Sequence, residues 1–235
     1  MTAHFYQHLI LKNPKAIFVL LIIAILSFGY YSKNFRLDAS SETLLIEGDP
    51  DLAYLKEVSE RYGSKEFLIL TYTPNEGMIT DSSINNLLSL KYKIQSLKWV
   101  HNVITLLDIP LLNNSDAPLQ TRLENFKTLK DEDVDRNRGF TEIINSPVFR
   151  NFIISEDGKT SGIIVYIKKS QKLENIDNKS KEEIELIKEQ IKKQNHQNIL
   201  EIRQVIESYE DIGKIYLGGI PMIADDMMTF IKSDI

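Results

Sequence analysis

An uncharged apolar run near the N-terminus limits the possible folds of this chain more than any other feature. Ala16 to Ser32 are 17 consecutive residues without a charged side chain, at the short end of the range of about 17–25 residues for a membrane-spanning helix. Lys15 and Lys33 flank the run and can extend their ammonium groups to the membrane surface. Tyr30 and Tyr31 lie at its far end, where aromatic rings favour the membrane–water boundary. The run therefore predicts a transmembrane helix.

Two alternatives compete with a retained transmembrane helix. A signal peptide needs a small-x-small cleavage site, and the best candidate, Ser27 to Gly29, is followed by two tyrosines and is a poor site. A soluble helix would have to bury the nearly continuous apolar run from Ile17 to Leu26. The sequence favours a membrane anchor over both alternatives.

The charges around this run predict its orientation. Residues 1–36 contain four of the 28 basic residues and none of the 33 acidic ones, so the remainder has 24 basic and 33 acidic side chains and a net charge of −9. Lys12 and Lys15 precede the run and favour a cytoplasmic N-terminus, although Lys33 and Arg36 weaken the asymmetry. We expect the acidic part outside, in the periplasm of a bacterium with the anchor in the inner membrane. Its acidity argues against a nucleic-acid partner.

The clearest soluble pattern is a helix followed by a strand. Asp49 can cap the helix, Pro50 suits its first position, and Gly63 can end it. Its apolar residues recur at helical spacing: Leu52, Leu55, Val58 and Tyr62. Phe67 to Thr73 then predicts a strand that ends at Pro74.

A second helix and strand come next, and then a long irregular stretch. Thr80 to Ser83 predicts a helix start, and the apolar stripe that follows is Ile84, Leu87, Leu90, Ile94 and Leu97. Trp99 to Leu106 predicts a strand. Asp108 to about Pro147 reads as a loop, with a short helix between Asp131 and Asn145 that contains Gly139.

The last third of the chain predicts a hairpin, a short strand and a final helix. Two apolar runs between Asn151 and Lys169 flank Asp157-Gly158, a strong tight-turn signal. Lys214 to Leu217 predicts the last strand, and Gly218-Gly219 predicts a tight turn into a helix with Pro221 in its first turn.

A long helix is predicted between the hairpin and the last strand, from about Asn178 to Glu210. Its proposed inward register is Ile184, Ile187, Ile191, Asn195, Asn198, Ile202, Val205 and Tyr209. Because Asn195 and Asn198 interrupt the apolar stripe, the middle of this helix should be either solvent-exposed or broken.

The order of these elements predicts the fold class. The succession is strand–helix–strand, a hairpin strand, then strand–helix–strand, which is the split βαβ pattern of an α+β, ferredoxin-like sandwich. Both long helices would cover one face of an antiparallel sheet, with residues 108–147 as an insertion. We divide the chain into a lead-in and transmembrane helix (residues 1–36), an α+β domain (residues 37–217) and the start of a further helix (residues 218–235).

The histidines give no sign of a metal or catalytic site. His4 and His8 are spaced for a metal pair but have no acidic residue near them, and they lie in an amphipathic lead-in to the membrane run. His101 falls in a predicted strand and His196 in a polar part of the long helix. None has a companion group at ligand or triad spacing, so we predict no metal, cofactor or catalytic residue and no enzyme.

Two pairs of neighbouring carboxylates invite a functional reading. Asp49 with Asp51 is explained by helix capping, and Asp225 with Asp226 by a position in the N-terminal turn of the last helix. Gly218-Gly219 lacks the third glycine of a nucleotide-binding fingerprint. We therefore assign a structural role to both carboxylate pairs and to the glycine pair.

Several stretches, taken in order after the apolar run, resemble a known family. They are "LDASSETLLIEGDPDLAYLKEVSERYGSKEFLILTYTP", "NSPVFRNFIISEDGKTSGIIVYIKK" and "YLGGIPMIADDMMTFIKSDI". The chain resembles the first third of a bacterial exporter of the resistance–nodulation–cell-division superfamily, in the branch of MMPL-like exporters of lipids and other hydrophobic molecules. The resemblance covers essentially the whole chain.

The resemblance implies a fold and a function. It implies that the first span anchors a periplasmic porter domain built from ferredoxin-like units, and that residues 218–235 begin a helix leading to a second membrane span that is missing from these 235 residues. It also implies that proton flux through later membrane helices drives export. The run from Ala16 to Ser32 has no ionisable residue except tyrosine, so no proton-relay residue is assigned in this chain. We expect an N-terminal portion of such an exporter, not transport-competent alone, with the bilayer, the rest of the exporter or further copies, and an apolar substrate as partners.

A stand-alone module is the alternative. In that case the anchored periplasmic domain would bind a ligand or a protein partner without belonging to a pump. A sandwich of helices on a sheet offers an apolar layer for such a ligand.

Overall fold

The computed structural model describes residues 14–32, 50–51, 54, 57–58, 61, 66–113, 118–168 and 180–234. The chain divides into two units, Met1–Asp38 and Ala39–Ile235, and each is described by itself. Among the described residues of the first unit, Pro14–Tyr31 form helix α1, which has a mean hydropathy of 1.9 and no buried residue. Its length and composition suit a membrane span, and a signal sequence would have the same properties.

An antiparallel sheet forms the centre of the second unit. Its strands are β1 (Phe67–Pro74), β2 (Val100–Thr105), β3 (Ser161–Ile167) and β4 (Gly213–Gly218), and their order across the sheet is β2-β3-β1-β4. Along the chain, central strand β1 is therefore followed by edge strand β2, and central strand β3 by edge strand β4. In neither case are the two strands neighbours in the sheet. The helices α2 (Asp81–Gln95) and α5 (Lys181–Glu207) lie within these two crossover connections. The fold class is α+β, as the sequence predicts.

Successive side chains of β1 point to opposite faces of the sheet, one buried and one exposed. Leu68, Leu70 and Tyr72 are fully buried, whereas Phe67 and Ile69 are exposed. A strand covered on one face has this period of two. The hydrophobic core therefore lies on the side of the sheet to which Leu68, Leu70 and Tyr72 point.

Helix α2 matches its sequence signals closely. The Thr80 side chain accepts a hydrogen bond from the Ser83 N–H and caps the helix. The predicted stripe is buried: Ile84, Leu87, Leu90 and Ile94. Helix α2 also contacts α5, so both crossover helices belong to the same packed layer.

Helix α5 is continuous through the two asparagines. It begins with a capping box in which Ser180 and Glu183 exchange side-chain-to-backbone hydrogen bonds. Its second half supplies the core with Ile199, Ile202 and Val205, together with buried Asn198, whose side-chain oxygen accepts a bond from Gln194. The prediction of an exposed or broken middle is wrong: Asn198 is buried and Asn195 is half-buried, and hydrogen bonds to Gln194 and to the Pro221 carbonyl compensate for the burial of their side chains.

The insertion between β2 and β3 contains two short helices, α3 (Leu119–Glu124) and α4 (Arg136–Asn145). Asp135 caps α4 by accepting bonds from the N–H groups of the second and third helical residues. Gly139 lies against the core, where a Cβ atom would be 2.7 Å from Leu111 Cδ1. The predicted short helix is present and begins a few residues later than expected.

The predicted hairpin forms only in part. Its turn is present, with Gly158 at φ 69° and the Gly158 N–H bonded to the Ser155 carbonyl at 2.9 Å. The preceding apolar run is not a strand, because β1 and β2 already occupy both edges of β3 from Ile163 onward. Ile153 and Ile154 are buried in a turn, and Ile154 makes isolated bridges to Arg150 and Ser161 instead of a continuous strand ladder.

The remaining predictions concern the helix before β1 and the helix after β4. The described residues of the first are all helical: Pro50, Asp51, Tyr54, Glu57, Val58 and Arg61. Asp49, Leu52, Leu55, Tyr62 and Gly63 lie outside the described residues. After β4, the helix α6 (Ile220–Asp234) follows directly, with Pro221 in its first turn as predicted.

Candidate functional site

Polar side chains join α5 to α6. His196 Nδ1 lies 3.0 Å from both carboxylate oxygens of Asp225. Arg203 Nη2 donates to both carboxylate oxygens of Asp226 at 2.8 Å. The Asn195 amide donates to the carbonyl oxygen of Pro221 at 2.9 Å. We call these three contacts the α5–α6 polar contact.

A glycine turn positions α6 for this contact. Gly219 has φ 117°, a conformation that side-chain-bearing residues rarely adopt. A Cβ atom there would lie 3.1 Å from the carbonyl oxygen of Phe67. The turn therefore needs glycine both for its backbone angle and for its close approach to β1, and it directs α6 across α5.

The two side-chain pairs, His196–Asp225 and Arg203–Asp226, differ in their burial. The Asp225 side chain is 10% exposed and that of its partner His196 is 44% exposed. The Asp226 and Arg203 side chains are 29% and 42% exposed. A carboxylate that has lost most of its water depends more on its protein partner than an exposed one does. Asp225 should therefore make the stronger of the two contributions to the docking of α6.

The structure corrects the sequence interpretation of these residues. Asp225 and Asp226 are the sixth and seventh residues of α6, beyond the first turn, so a helix N-terminal role is wrong. His196, for which the sequence showed no companion group, is paired with Asp225. The partners are 29 positions apart on different helices, and no local spacing rule relates them.

A histidine oriented by a carboxylate is also an arrangement that general-base catalysis uses. Such a base needs a nucleophile or a reacting proton within hydrogen-bond distance. Within the described part of the chain, the side-chain hydrogen bonds of His196 and Asp225 are confined to each other. The pair therefore has a structural contact and no catalytic partner there.

The other candidate residues do not join this contact. His101 is exposed on β2, where its carbonyl oxygen accepts a bond from Gln95. Asp51 is exposed in the helix before β1, and His4, His8 and Asp49 lie outside the described residues. Across the residues whose placement is described, no group of three or more His, Asp or Glu side chains is arranged to hold a metal ion.

On the side away from Asp225, α6 presents an apolar surface. Ile220, Ile223, Met227 and Phe230 are all exposed and recur at spacings of three and four residues. At about 100° per residue, they lie on the side of α6 away from Asp225 and Met222, the latter packed against the core. We call these four residues the outer stripe of α6. The helix is thus attached through polar groups and Met222, and it exposes apolar side chains.

The sheet has a second exposed apolar surface on the face away from the core. Phe67, Ile69 and Tyr216 are exposed there, and the rings of Phe67 and Tyr166 lie edge to face with centroids 6.2 Å apart. The register places Ile69 opposite Gly218, next to the start of α6. We call these residues the outer face of the sheet.

One titratable group lies in the core. The Tyr72 side chain is fully buried, and its hydroxyl has no hydrogen bond of standard geometry within the described residues. Burial raises the pKa of the Tyr72 phenol, and the nearby Ser83 and Asn86 side chains offset part of that rise. Tyr72 lies beneath α2 in a closed core, which fits a packing role.

The chain matches no protein-family model and no curated protein.

Proposed function

We propose that this chain is the membrane-anchored porter portion of a bacterial exporter of the resistance–nodulation–cell-division type, for lipids or other hydrophobic molecules. In this proposal α1 spans the inner membrane with its N-terminus in the cytoplasm, and the α+β unit lies in the periplasm. The chain works together with the remaining membrane portion of the exporter, which supplies the proton-coupled step, and does not transport by itself.

The strand order carries the proposal. A sheet of order β2-β3-β1-β4, with a helix in each crossover, supports the proposal of a split βαβ, ferredoxin-like arrangement. The contact between α2 and α5 supports the same assignment, because both crossover helices then belong to one layer. Porter domains of this superfamily are built from such units, and the resemblance in sequence extends over the same elements.

The attachment of α6 supports a role in a moving assembly. The helix follows β4 through a two-glycine turn and is held on α5 by two side-chain pairs, in which His196 and Arg203 are 44% and 42% exposed. Breaking two such pairs costs less than unfolding the domain, so α6 can shift relative to the sheet while most of the hydrophobic core stays closed.

An efflux assay tests the proposal. The coding region of the chain is deleted in its native organism, and cells are loaded with an apolar fluorescent dye. We expect slower dye loss in energised cells, no difference after a protonophore abolishes the proton gradient, and recovery when the full chain is supplied. Unchanged efflux would remove the exporter assignment.

The outer face of the sheet favours one other candidate, an anchored module that binds an apolar ligand on its own. Tyr216 and Phe67 offer exposed aromatic surface for such a ligand. Binding of a fatty-acid probe to the purified full chain in detergent, lost in Tyr216→Ser and retained in Tyr92→Ser on the exposed surface of α2, would support this candidate. Binding equal in both variants would exclude the outer face.

A further inference from the structure

We propose that the free edge of β4 pairs with β4 of a second copy of this chain, so that two four-stranded sheets join into one continuous sheet. The two strands run antiparallel about a two-fold axis, with Ile215 opposite Ile215 of the second copy. This interface goes beyond the proposed function, because an exporter portion and a stand-alone module would both form it.

The backbone groups of β4 alternate between β1 and the free edge of the sheet. The Asn75 N–H donates to the Ile212 carbonyl at 3.4 Å, so these two residues continue the ladder of β1 and β4 as a hydrogen-bonded pair. Hydrogen-bonded pairs recur at every second residue of an antiparallel ladder, which assigns the even-numbered residues of β4 to β1. The N–H and C=O groups that point away from β1 are therefore those of Gly213, Ile215 and Leu217.

The other edge of the sheet is closed by side chains. On β2, the Val103 N–H donates to the Gln95 side-chain oxygen at 2.9 Å, and the Gln95 amide donates to the His101 carbonyl at 3.2 Å. The Thr105 N–H donates to the Asp108 carboxylate at 2.8 Å. Within the described residues, the outward groups of β4 have no such hydrogen-bond partner. An unprotected edge accepts a further strand, so β4 is the edge at which the sheet can grow.

The lysine on β4 limits the register of a second β4 strand. Outward-facing residues of one strand can bond only to outward-facing residues of the other. The register with Gly213 opposite Ile215 brings the two Lys214 side chains together, and like charges directly opposite each other are destabilising. A shift in the other direction leaves Gly213 without a partner. The register with Ile215 opposite itself pairs every outward residue and places Lys214 of one copy opposite Tyr216 of the other.

This register joins compatible side chains on both faces of the sheet. On the outer face, exposed Lys214 lies opposite exposed Tyr216 of the other copy, and an ammonium group is attracted to an aromatic ring. On the core side, half-buried Ile215 meets Ile215 of the other copy and loses further apolar surface to water. Two-fold symmetry repeats the Lys–Tyr contact, so the same strand serves as both halves of the interface.

Charges just beyond the strands fit the same register. Exposed Glu210 and Asp211 precede β4, and α6 begins at Ile220 shortly after it. Continuing the register beyond the strand ends places Glu210 and Asp211 of one copy beside the first residues of α6 in the other. Acidic side chains are stabilised near the N-terminal end of a helix. A second copy therefore brings complementary charge to both ends of β4, which favours it over an unrelated strand.

Cysteine cross-linking tests the interface, since the chain has no cysteine of its own. Full chains with Lys214→Cys and with Tyr216→Cys, carrying different affinity tags, are mixed in detergent micelles and oxidised with copper phenanthroline. They are also co-expressed and oxidised in cell membranes. Opposite Cα atoms of a non-hydrogen-bonded pair lie about 4.5 Å apart, within the range that a disulfide spans. Leu200→Cys, exposed on α5, is the control for random collision.

We expect the mixed dimer of Lys214→Cys with Tyr216→Cys to form several-fold faster than a dimer of either variant with itself or of Leu200→Cys. Equal rates in all samples, or no cross-link at all, overturn the interface. Faster cross-linking of Lys214→Cys or Tyr216→Cys with itself overturns the register. In membranes, a cross-link from position 216 to a different protein, with none between the two copies, overturns the choice of partner.

A proline variant tests the backbone contribution. Ile215→Pro removes an outward N–H without removing a bond from β4 to β1, and proline is tolerated on edge strands. We expect it to weaken the cross-link between positions 214 and 216 several-fold with an unchanged circular dichroism spectrum, whereas Ile215→Val retains the cross-link. An undiminished cross-link in folded Ile215→Pro overturns the strand pairing. Where Ile215→Pro does not fold, the comparison of the mixed and self cross-links decides alone.

Discussion

The α5–α6 polar contact allows a quantitative prediction about burial. Replacing His196 by Ala leaves the Asp225 carboxylate, 10% exposed, without its partner. A buried polar group that loses its partner costs about 1–3 kcal/mol, and breaking a fully buried ion pair costs about 3–5 kcal/mol. Because half-exposed His196 lets water reach the vacated space, we expect about 2 kcal/mol.

The matched change is made at the second pair. Arg203→Ala removes the partner of Asp226, which is 29% exposed and keeps more of its water. Partly exposed pairs contribute about 0.2–1 kcal/mol in double-mutant cycles. We expect a coupling energy of about 0.5 kcal/mol between Arg203 and Asp226, as for a partly exposed pair. For His196 and Asp225 we expect about 1.5–2 kcal/mol, because the Asp225 carboxylate is buried.

Native-state hydrogen exchange is the suitable assay, because α6 can detach from α5 before the core unfolds. Each cycle uses the two single Ala variants and the double variant of the full chain in detergent micelles. Protection of the amides in the second turn of α6 reports its detachment. A coupling energy at His196–Asp225 equal to or below that at Arg203–Asp226 would refute the argument that burial decides the strength of this contact.

Three further predictions concern the core and the turn. Leu90→Ala, at a fully buried site, should lower the free energy of unfolding, measured by urea denaturation, by about 2–5 kcal/mol. Leu200→Ala, at an exposed site, should change it by less than about 0.5 kcal/mol. Gly219→Val should strain the turn by about 1–3 kcal/mol and reduce amide protection in α6, because its φ of 117° disfavours a side chain. Gly77→Ala is the control, since a Cβ atom there meets only ordinary contacts. Equal effects of the two substitutions would contradict the argument that Gly219 is required for its backbone angle. Tyr72 keeps its proton longer in the folded state, since its pKa is raised, so the unfolding free energy should fall as pH rises above about 10. Tyr72→Phe should abolish this alkaline loss without lowering stability at neutral pH, and a loss that persists in the variant would assign it to another group.

Local signals predict much of the fold because their partners lie within a few residues. Thr80 and Ser83 are three positions apart, and the buried stripe of α2 follows the helical period. Strand β1 shows its period of two directly. The order of the elements along the chain was likewise enough to predict an α+β fold, since helices and strands alternate.

Only the first strand of the predicted hairpin is absent, and the reason is non-local. The run before Asp157-Gly158 has the composition of a strand, and the turn forms as its residues require. That run can form a strand only if one edge of β3 is free to hydrogen-bond with it. Both edges from Ile163 onward belong to β1 and β2, which lie far away in the sequence.

The sequence by itself determined the apolar helix, the caps, the turns and the period of each long element, because these depend on interactions within one or two turns of chain. Only the tertiary structure decided that His196 meets Asp225, that Asn198 is buried, and that α6 exposes Ile223 and Phe230. Each of these depends on the crossing of two helices joined by a whole strand and its turns. The sequence showed that α6 has an apolar side. The tertiary structure decided that this apolar side is exposed, because Asp225 and Asp226 are the residues that pair with α5.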